Sequence, residues 1–346
     1  MFVTPLNTRR KKIFQAIVEA YIETAAPVSS QAIAQRLRWR ISTATVRNVM
    51  AQLGELGLIW QPHTSAGRIP TDLGYRYYID SLLEVGQLTP QEQDLITSRY
   101  PEQNEALDEL LGQILRLLSE FSGYTAIAFS SGLRRILFRR LELVSVHSTK
   151  ILLALVSLEG QVKTTIIQMP YKVEQEELLK IARFLSEEFA GLALDEIKQR
   201  IAQRILLGSD SFFHLLTKAA QILDLAWASF AKDRLYLEGA SCILGQPEFQ
   251  DAHKLQAVLR TLERQETLLQ IMKGDLDTDG VRVHIGRENP EDIQECSLVI
   301  SNFKIKNKNM GALGIIGPQR MPYARAISAV GYVAQTLGQR ISEFYF

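Results

Sequence analysis

The stretch STATVRNVMAQLGELGLIWQPHTSAGRIPT, residues 42–71, combines an amphipathic helical pattern with a turn-rich segment. Its first half places apolar residues at helical spacing, and Ser42 stands where a helix-capping hydroxyl is expected. Gly57 ends the pattern, because glycine readily adopts the left-handed conformation that follows many helices. A short apolar strand, a cluster of turn residues and a second extended piece through Ile69 come next. The stretch therefore predicts a helix followed directly by a β-hairpin.

Two further helices are predicted upstream of this stretch. Apolar residues at helical spacing predict a first helix over residues 8–24, and Pro27 follows its end. Ser29 or Ser30 can cap a short second helix. Three helices with one shared core and a following hairpin make a winged helix-turn-helix domain, in which the hairpin is the wing. The tyrosine-rich residues 75–79 are expected to form a linker helix that packs on this head.

The third helix and the wing carry the candidate contacts with DNA. Small hydroxyl residues at the start of a helix allow close approach to a major groove, and arginine and asparagine can bond guanine and adenine edges. Residues of a wing can contact phosphates or the adjoining minor groove. The alternative is that the outer face of the third helix is an ordinary solvent-exposed surface without a binding role. The candidate DNA-binding residues are Ser42, Thr43, Thr45, Arg47 and Asn48 on the helix, and His63, Thr64, Ser65 and Arg68 at the tip of the wing.

The charge of the chain is distributed unevenly. Residues 1–80 hold ten basic and five acidic residues, a net charge of +5, while the remainder carries −4 and the whole chain +1. A basic small domain joined to a mildly acidic larger one is typical of a polyanion-binding head on a regulatory or dimerising body.

Length and hydropathy exclude several classes of protein. With 346 residues, 46% of them hydrophobic, the chain can bury a large core and is expected to form two or three domains. Its apolar runs, such as ILLALV at residues 151–156, are far shorter than the roughly 18 residues of a membrane span. Because residues 1–12 also lack an apolar signal segment, we expect a soluble, cytoplasmic protein without membrane association.

The sequence assigns no catalytic, cofactor-binding or metal-binding residue. Cys242 and Cys296 are far apart and have no second ligand nearby, so they indicate neither a disulfide framework nor a zinc site, and both are expected to be buried. No cysteine or second histidine lies near His63 in the sequence, so His63 does not indicate a metal site either. The glycines of GALGIIGP, residues 311–318, fit no phosphate-binding loop and are expected to form turns at strand edges. Arg320 has two open roles, binding an anion and closing an interface.

Strand-like and helical patterns alternate after the head. Four strand-like runs between residues 124 and 169 are expected to form one meander. Residues 174–231 switch to a helical period, strand patterns resume near residue 280, and a final helix is expected from Tyr323. This order predicts an α+β fold in which one domain is interrupted by an insertion.

Three stretches of the chain resemble the HrcA family of bacterial heat-inducible transcription repressors. They are AIVEAYIETAAPVSS at residues 16–30, STATVRNVMAQLGELGLIWQPHTSAGRIPTDLGYRYYID at 42–80, and GALGIIGPQRMPYARAI at 311–327. The resemblance covers the whole chain, although the central third matches only in length and helical character. Ser29 replaces a glycine that is usual in the family, and Gly54 replaces a usual acidic residue. The second departure weakens the third helix by about 1 kcal/mol of helix propensity.

The resemblance implies a three-part fold and a function. The parts are a winged helix-turn-helix DNA-binding domain with a linker helix over residues 1–85, a GAF-like domain in two pieces, 86–190 and 252–346, and an inserted, mostly helical dimerising domain over 191–251. The implied function is that of a homodimeric repressor, without a cofactor, that binds an inverted-repeat operator in double-stranded DNA and controls chaperone genes. The family also implies that a chaperonin keeps the repressor folded and active.

Two other functional classes stay open from the sequence. GAF-like folds often hold small molecules, so a ligand-responsive transcriptional regulator is one alternative, and a cavity with convergent polar groups would favour it. The other is an enzyme with a DNA-binding head, against which the missing nucleotide-binding motifs argue.

Overall fold

The computed structural model describes residues 6–37, 41–64, 66–100, 107–130, 137–158, 162–207, 213–230, 234–305 and 308–345. The chain separates into two compact units. The first comprises Met1–Ala128, Tyr236–Phe303 and Ala312–Thr336, and the second comprises Phe129–Leu235, Lys304–Gly311 and Leu337–Phe346. In the described part of the chain, no helix has both the length and the apolar character that crossing a membrane requires.

Three helices form the base of the N-terminal head, as predicted. They are α1 (Thr8–Thr24), α2 (Ser30–Arg36) and α3 (Thr43–Glu55). Each begins after a residue whose side chain accepts a hydrogen bond from a backbone N–H of the first turn, which satisfies a donor that the helix itself leaves unpaired. Their shared core includes Ile13, Phe14, Ile17, Ile33, Val46, Met50 and Leu53.

A two-stranded wing follows α3, also as predicted. Gly57 ends the helix with φ near 71°, a left-handed conformation that favours glycine. The strands β1 (Ile59–Trp60) and β2 (Ile69–Pro70) pair antiparallel and are joined by residues 61–68. The linker helix α4 (Asp72–Ser81) comes next and buries Tyr75 and Tyr78 in the core.

Thr71 joins the wing to α4. Its hydroxyl donates to the Gly57 carbonyl at 2.6 Å and accepts from the Gly74 N–H at 3.0 Å, and its own N–H donates to the Leu58 carbonyl at 3.1 Å. A Cβ on Gly74 would lie 2.1 Å from the Leu58 carbonyl oxygen, so only glycine allows α4 to approach this closely. The direction in which α4 leaves the wing is therefore fixed.

The first unit also holds most of a five-stranded sheet with the strand order β7-β3-β10-β9-β8. The strands are β3 (Thr125–Ser130), β7 (Arg234–Glu238), β8 (Val281–Ile285), β9 (Cys296–Ile305) and β10 (Lys308–Pro318). The helices of this part are α5 (Pro90–Thr97), α6 (Leu107–Ser122), α10 (Ala252–Arg264), α11 (Glu266–Gly274) and the start of α12 (Tyr323–Tyr345).

The second unit is built around a three-stranded antiparallel sheet in the order β4-β5-β6. One face of this sheet is buried against helices, and its core includes Leu141, Leu153, Ile167, Leu178, Leu185, Leu216 and Ile222. The strands are β4 (Phe138–His147), β5 (Lys150–Ser157) and β6 (Val162–Gln168), and the helices are α7 (Gln175–Phe189), α8 (Leu194–Leu207) and α9 (Phe213–Phe230).

The compact units divide the chain at positions other than the domain bounds expected from the sequence. The first strand-like run, β3, joins the five-stranded sheet, so the meander has three strands and not four. The strands β4–β6 and α7, expected in a GAF-like domain, pack instead with α8 and α9. The second unit takes Phe129–Leu235 from the middle of the chain, and the insertion bounds of 191 and 251 stay a prediction. Periodicity shows that a segment is a strand, but it does not show which sheet the strand joins.

Two smaller expectations are also corrected. Gly311, Gly314 and Gly317 lie inside β10 and not in turns. Two of them are glycine because of close packing, since a Cβ on Gly314 would come within 2.2 Å of the Val299 carbonyl and one on Gly317 within 2.5 Å of the Tyr124 ring. Cys296 is buried as expected, whereas Cys242 is partly exposed.

Charged side chains hold the head against the sheet-bearing part of the first unit. Arg76 in α4 donates to Glu288 with an Nε–Oε1 distance of 2.8 Å, and also to the Val283 carbonyl. Burial raises the pKa of Glu288, but the hydrogen bonds from Arg76 and from the Ile285 N–H, together with the charge of Arg76, outweigh burial and hold the pKa of that carboxyl below its usual range. Asp72, beside them in α4, accepts from the Arg287 N–H at 2.9 Å. The linker helix is therefore docked by ionic contacts.

Arg320 forms a second contact of the same kind. Its Nε lies 2.5 Å from Glu248 Oε1, and its Nη1 donates to the Ile22 carbonyl at 2.7 Å, near the end of α1. The sequence left two roles open for Arg320, binding an anion and closing an interface. Its contacts with Glu248 and with the end of α1 assign it the second role.

We expect Gly74→Ala to destabilise the head by roughly 2 kcal/mol or more, because the added Cβ would overlap the Leu58 carbonyl. The measurement is hydrogen exchange of the α3 amides, which should lose protection. Gly86→Ala is the control, since a Cβ there meets nothing within 4 Å and should change stability by less than about 0.5 kcal/mol. Equal α3 protection in G74A and wild type would contradict the close approach.

Candidate nucleic-acid interface

The face of α3 opposite its buried stripe is polar and exposed. Thr43, Arg47 and Asn48 lie on this face or its flanks, and all three are exposed. Among the residues that the structure describes, neither Arg47 nor Asn48 has a side-chain hydrogen bond or ion pair. Their donors are therefore available to base edges in a major groove.

Ser42 and Thr45 begin the helix. The Ser42 hydroxyl accepts from the Thr45 N–H at 3.1 Å and lies 2.8 Å from the Thr45 hydroxyl. Both side chains are thus used in the cap. They set the position of Thr43 and of the first turn, whose free N–H groups and dipole favour an approaching phosphate.

The turn of the wing is held by Gln61, a side chain that is not among the predicted DNA-binding residues. Gln61 Nε2 donates to the carbonyls of Thr64 and Ala66, both at 2.9 Å, and the Ala66 N–H donates to the His63 carbonyl at 2.9 Å. His63 and Thr64 are exposed at the tip, while Ser65 lies outside the described residues. The turn that presents His63 is therefore fixed by three hydrogen bonds.

Arg68 lies at the base of the wing and not at its tip, where it was predicted. Its backbone exchanges two hydrogen bonds of 2.9 Å with Val28, which bridges to the wing from the loop before α2. A Cβ on Gly67 would lie 2.6 Å from the backbone of Pro27 and Val28, so glycine is needed for this approach. The bridge joins residues that are distant in sequence, and local patterns do not reveal it.

Arg36, at the end of α2, is paired with carboxylates of α1. Its two terminal nitrogens each lie 2.6 Å from a carboxylate oxygen of Glu23, and Glu19 is 3.7 Å away. The hydrogen bond from Arg36 lowers the pKa of Glu23 below its usual range. Arg38 and Arg40 lie outside the described residues. The charge available to DNA is thus smaller near α2 than the sequence suggests.

A half-open cleft of about 860 Å³ adjoins the base of the wing within the first unit. Trp60 is half exposed in it, and Tyr75 contributes a buried hydroxyl that has no hydrogen-bond partner among the described residues. Lys254, Arg287 and Arg320 also line the cleft. Within the described part of the chain, no cluster of three potential metal-ligating side chains occurs.

Two family models match this sequence. The model of the HrcA protein C-terminal domain matches residues 108–327, and the model of the winged helix-turn-helix transcription repressor HrcA DNA-binding domain matches residues 5–80. The chain belongs to the HrcA family of heat-inducible transcription repressors. The resemblance seen in the sequence is thereby confirmed, as is the winged-helix interpretation of the head.

Relatives align with this HrcA family member over almost their whole length. The heat-inducible transcription repressor HrcA of Symbiobacterium thermophilum is 35% identical and aligns over 96% of this chain and 98% of its own. That of Moorella thermoacetica is also 35% identical, over 98% and 99%. A crystal structure described as that of a hypothetical protein covers 98% of this chain and 99% of its own with a TM-score of 0.64; at 23% identity it supports the fold alone. HrcA proteins are DNA-binding regulators and not enzymes.

Three residues that shape the HrcA head were missed by sequence reasoning. Gln61, Gly67 and Thr71 fix the wing turn, the wing base and the start of α4, respectively. Thr71 had a readable signal, because a threonine before Asp72 and a helical pattern is typical of an N-cap. Gln61 and Gly67 act on partners that only the folded chain supplies.

We expect Gln61→Met to weaken DNA binding roughly five- to tenfold, because the variant keeps the side-chain length but loses two hydrogen bonds of about 1 kcal/mol each. Hydrogen exchange at the Ala66 amide should become faster. Gln91→Met, at an exposed position of α5, is the control and should change neither quantity. An unchanged Ala66 exchange rate in Q61M would show that Gln61 does not hold the turn.

Proposed function

We propose that this HrcA family member represses transcription as a homodimer that binds an inverted-repeat operator in double-stranded DNA. Two observations together carry the proposal. Arg47 and Asn48 are exposed on α3 and, among the described residues, make no side-chain hydrogen bond or ion pair, and the turn of the wing is held in place by Gln61. Twofold symmetry of the protein matches the symmetry of a palindromic site, so each head binds one half-site.

The proposed mechanism assigns separate tasks to the helix and the wing. The first turns of α3 enter the major groove, where Arg47 suits a guanine edge and Asn48 an adenine edge. Thr43 and the capped start of the helix contact the sugar-phosphate backbone. His63, Thr64 and Ser65 on the wing reach phosphates or the adjoining minor groove. A dimer held on an operator that overlaps a promoter blocks the polymerase by occupancy.

In this proposal the sheet-bearing part after the head is GAF-like, and the second unit is the inserted dimerising domain. The outer face of the β4-β5-β6 sheet supports dimerisation. Val144, Leu152 and Ile166 form one cross-strand row, and Val156 and Val162 form another. Val162 and Ile166 are each 60% exposed, which is unusual for residues of this type grouped on one sheet face. A second copy of the chain would bury these rows.

The proposed regulated genes are chaperone genes, and the proposed signal is heat. The relatives' name, heat-inducible transcription repressor, supports this assignment. A repressor whose folding is assisted by a chaperonin loses activity when heat fills the chaperonin with other unfolded chains. The apolar rows of the second unit give the unpaired subunit a surface that favours aggregation. The active fraction then falls as chaperonin becomes limiting, and repression is relieved.

A second candidate function is a small-molecule-responsive regulator. The cleft beside the wing, with the unpartnered Tyr75 hydroxyl and the exposed Trp60, favours it, because a ligand there would touch the strand that leads into the wing. If no metabolite fraction of the host changed the melting temperature of the protein, this candidate would be discarded.

We expect Arg47→Met to reduce affinity for a palindromic operator about 10- to 100-fold, while binding to a scrambled duplex changes much less, because a base contact carries sequence specificity. Fluorescence anisotropy with a palindrome from upstream of the host's chaperonin genes is the measurement. Arg36→Met is the matched control, since the Arg36 guanidinium is already paired with Glu23. Equal losses in R47M on both duplexes would assign Arg47 to the backbone.

We expect Ile166→Glu to convert the dimer into a monomer, because a carboxylate would be buried in the apolar contact between subunits. Sedimentation equilibrium measures the change. Gln168→Glu, two residues further along the same exposed side of β6, adds the same charge next to the apolar rows and should leave the dimer intact. Should I166E remain dimeric, another surface of the chain must form the interface.

A further inference from the structure

Gly54 occupies a position in α3 whose geometry does not require glycine. Its φ is outside the left-handed range, and a Cβ placed on it would have its nearest neighbours at 3.8 Å, an ordinary contact distance. Glycine inside a helix is destabilising relative to alanine. Residues that weaken a helix or strand, and that packing does not require, are expected mainly at functional sites.

The absent side chain of Gly54 faces the guanidinium of Arg68. One of the two atoms at 3.8 Å from the added Cβ is Arg68 Nη1. The backbone of Arg68 is held by its two hydrogen bonds to Val28, and the residue is half-buried. Among the described residues, its side chain has no hydrogen bond or ion pair. A partly desolvated, unpaired cation is held in place here.

Arg68 also shares a flank of α3 with Arg47. Residues 47 and 54 are seven apart, which is within about 20° of two full turns, so both lie on one side of the helix roughly 10 Å apart along its axis. Because the Arg68 guanidinium lies next to Gly54, the two arginines form a basic strip on the side of α3 that faces the wing. Arg47 lies in the first half of α3, and the Arg68 guanidinium lies beside the last turn of the same helix.

We propose that Arg68 binds a DNA phosphate beside the half-site, and that Gly54 keeps its guanidinium unpaired for this contact. A phosphate is the partner because recognition helices read bases with their N-terminal residues, whereas Arg68 lies by the C-terminal half of α3 at the base of the wing. The guanidinium fork matches phosphate oxygens in a bidentate geometry. The inference rests on the proposed binding of the head to duplex DNA.

Arg36 shows what a carboxylate would do to such a side chain. Glu23 and Glu19 occupy its guanidinium, and it is not available to an external anion. A glutamate at position 54 would have its Cβ 3.8 Å from Arg68 Nη1, so its carboxylate can reach the guanidinium in the same way. Gly54→Glu should therefore remove the Arg68 contact without changing Arg68, and Gly54→Gln is its uncharged, nearly isosteric control.

The test is the slope of the logarithm of DNA affinity against the logarithm of salt concentration, measured for the full-length protein. Arg68→Met and Gly54→Glu should each reduce the magnitude of the slope by about 0.9, the value for one lost phosphate contact, on palindromic and scrambled duplexes alike. Gly54→Gln should keep the wild-type slope. In an R68M background, G54E and G54Q should bind equally well.

Three results would overturn the proposal. They are equal slopes for G54E and G54Q, an unchanged slope for R68M, and a weaker G54E than G54Q in the R68M background, which would indicate general charge repulsion. Both position-54 variants should melt at or above the wild-type temperature, since they remove a helical glycine; if G54E does not fold, the R68M slope decides. A wild type that binds both duplexes equally would refute the operator function, but the slopes would still decide the role of Arg68, because phosphate contacts are independent of sequence.

Discussion

The close contact between Gly74 and the Leu58 carbonyl constrains the rest of the head. It lets Thr71 bond both the end of α3 and the start of α4, so the recognition helix, the wing and the linker helix share one rigid junction. The same junction sets the direction of α4, from which Arg76 reaches Glu288. The orientation of α3 relative to the five-stranded sheet thus depends on a contact between a glycine and a backbone carbonyl, to which no polar side chain and no large apolar side chain contributes.

Local sequence information predicts the head well. Helical periodicity and capping hydroxyls gave the three helices, because both signals act within a few residues. Turn residues gave the wing for the same reason. The position of Arg68 was not predictable, since it depends on a bridge to Val28 across forty positions of sequence. Likewise, the short apolar pattern of β3 is the same whichever sheet the strand joins, and its membership of the five-stranded sheet comes only from tertiary structure.

The candidate site was predictable in residue type but not in bonding. The sequence offers Arg36, Arg47 and Arg68 as similar basic residues of a basic domain. The structure separates them: Arg36 is paired with carboxylates, Arg47 is exposed on α3, and Arg68 is held unpaired under the wing. Hydroxyl residues divide in the same way, because Ser42 and Thr45 bond each other while Thr43 is exposed. Net charge alone therefore overstates what the head can offer a polyanion.

The ionic docking of the head determines how salt acts on this repressor. Arg320 and Glu248 are only 13% and 22% exposed, and ion pairs at such depth are screened far less than charges in open solvent. Contacts between exposed arginines and DNA phosphates, in contrast, weaken steeply as counterions accumulate. In the proposed complex, a rise in ionic strength therefore weakens the contacts with DNA more than the Arg320–Glu248 pair, and dissociation does not require that pair to break.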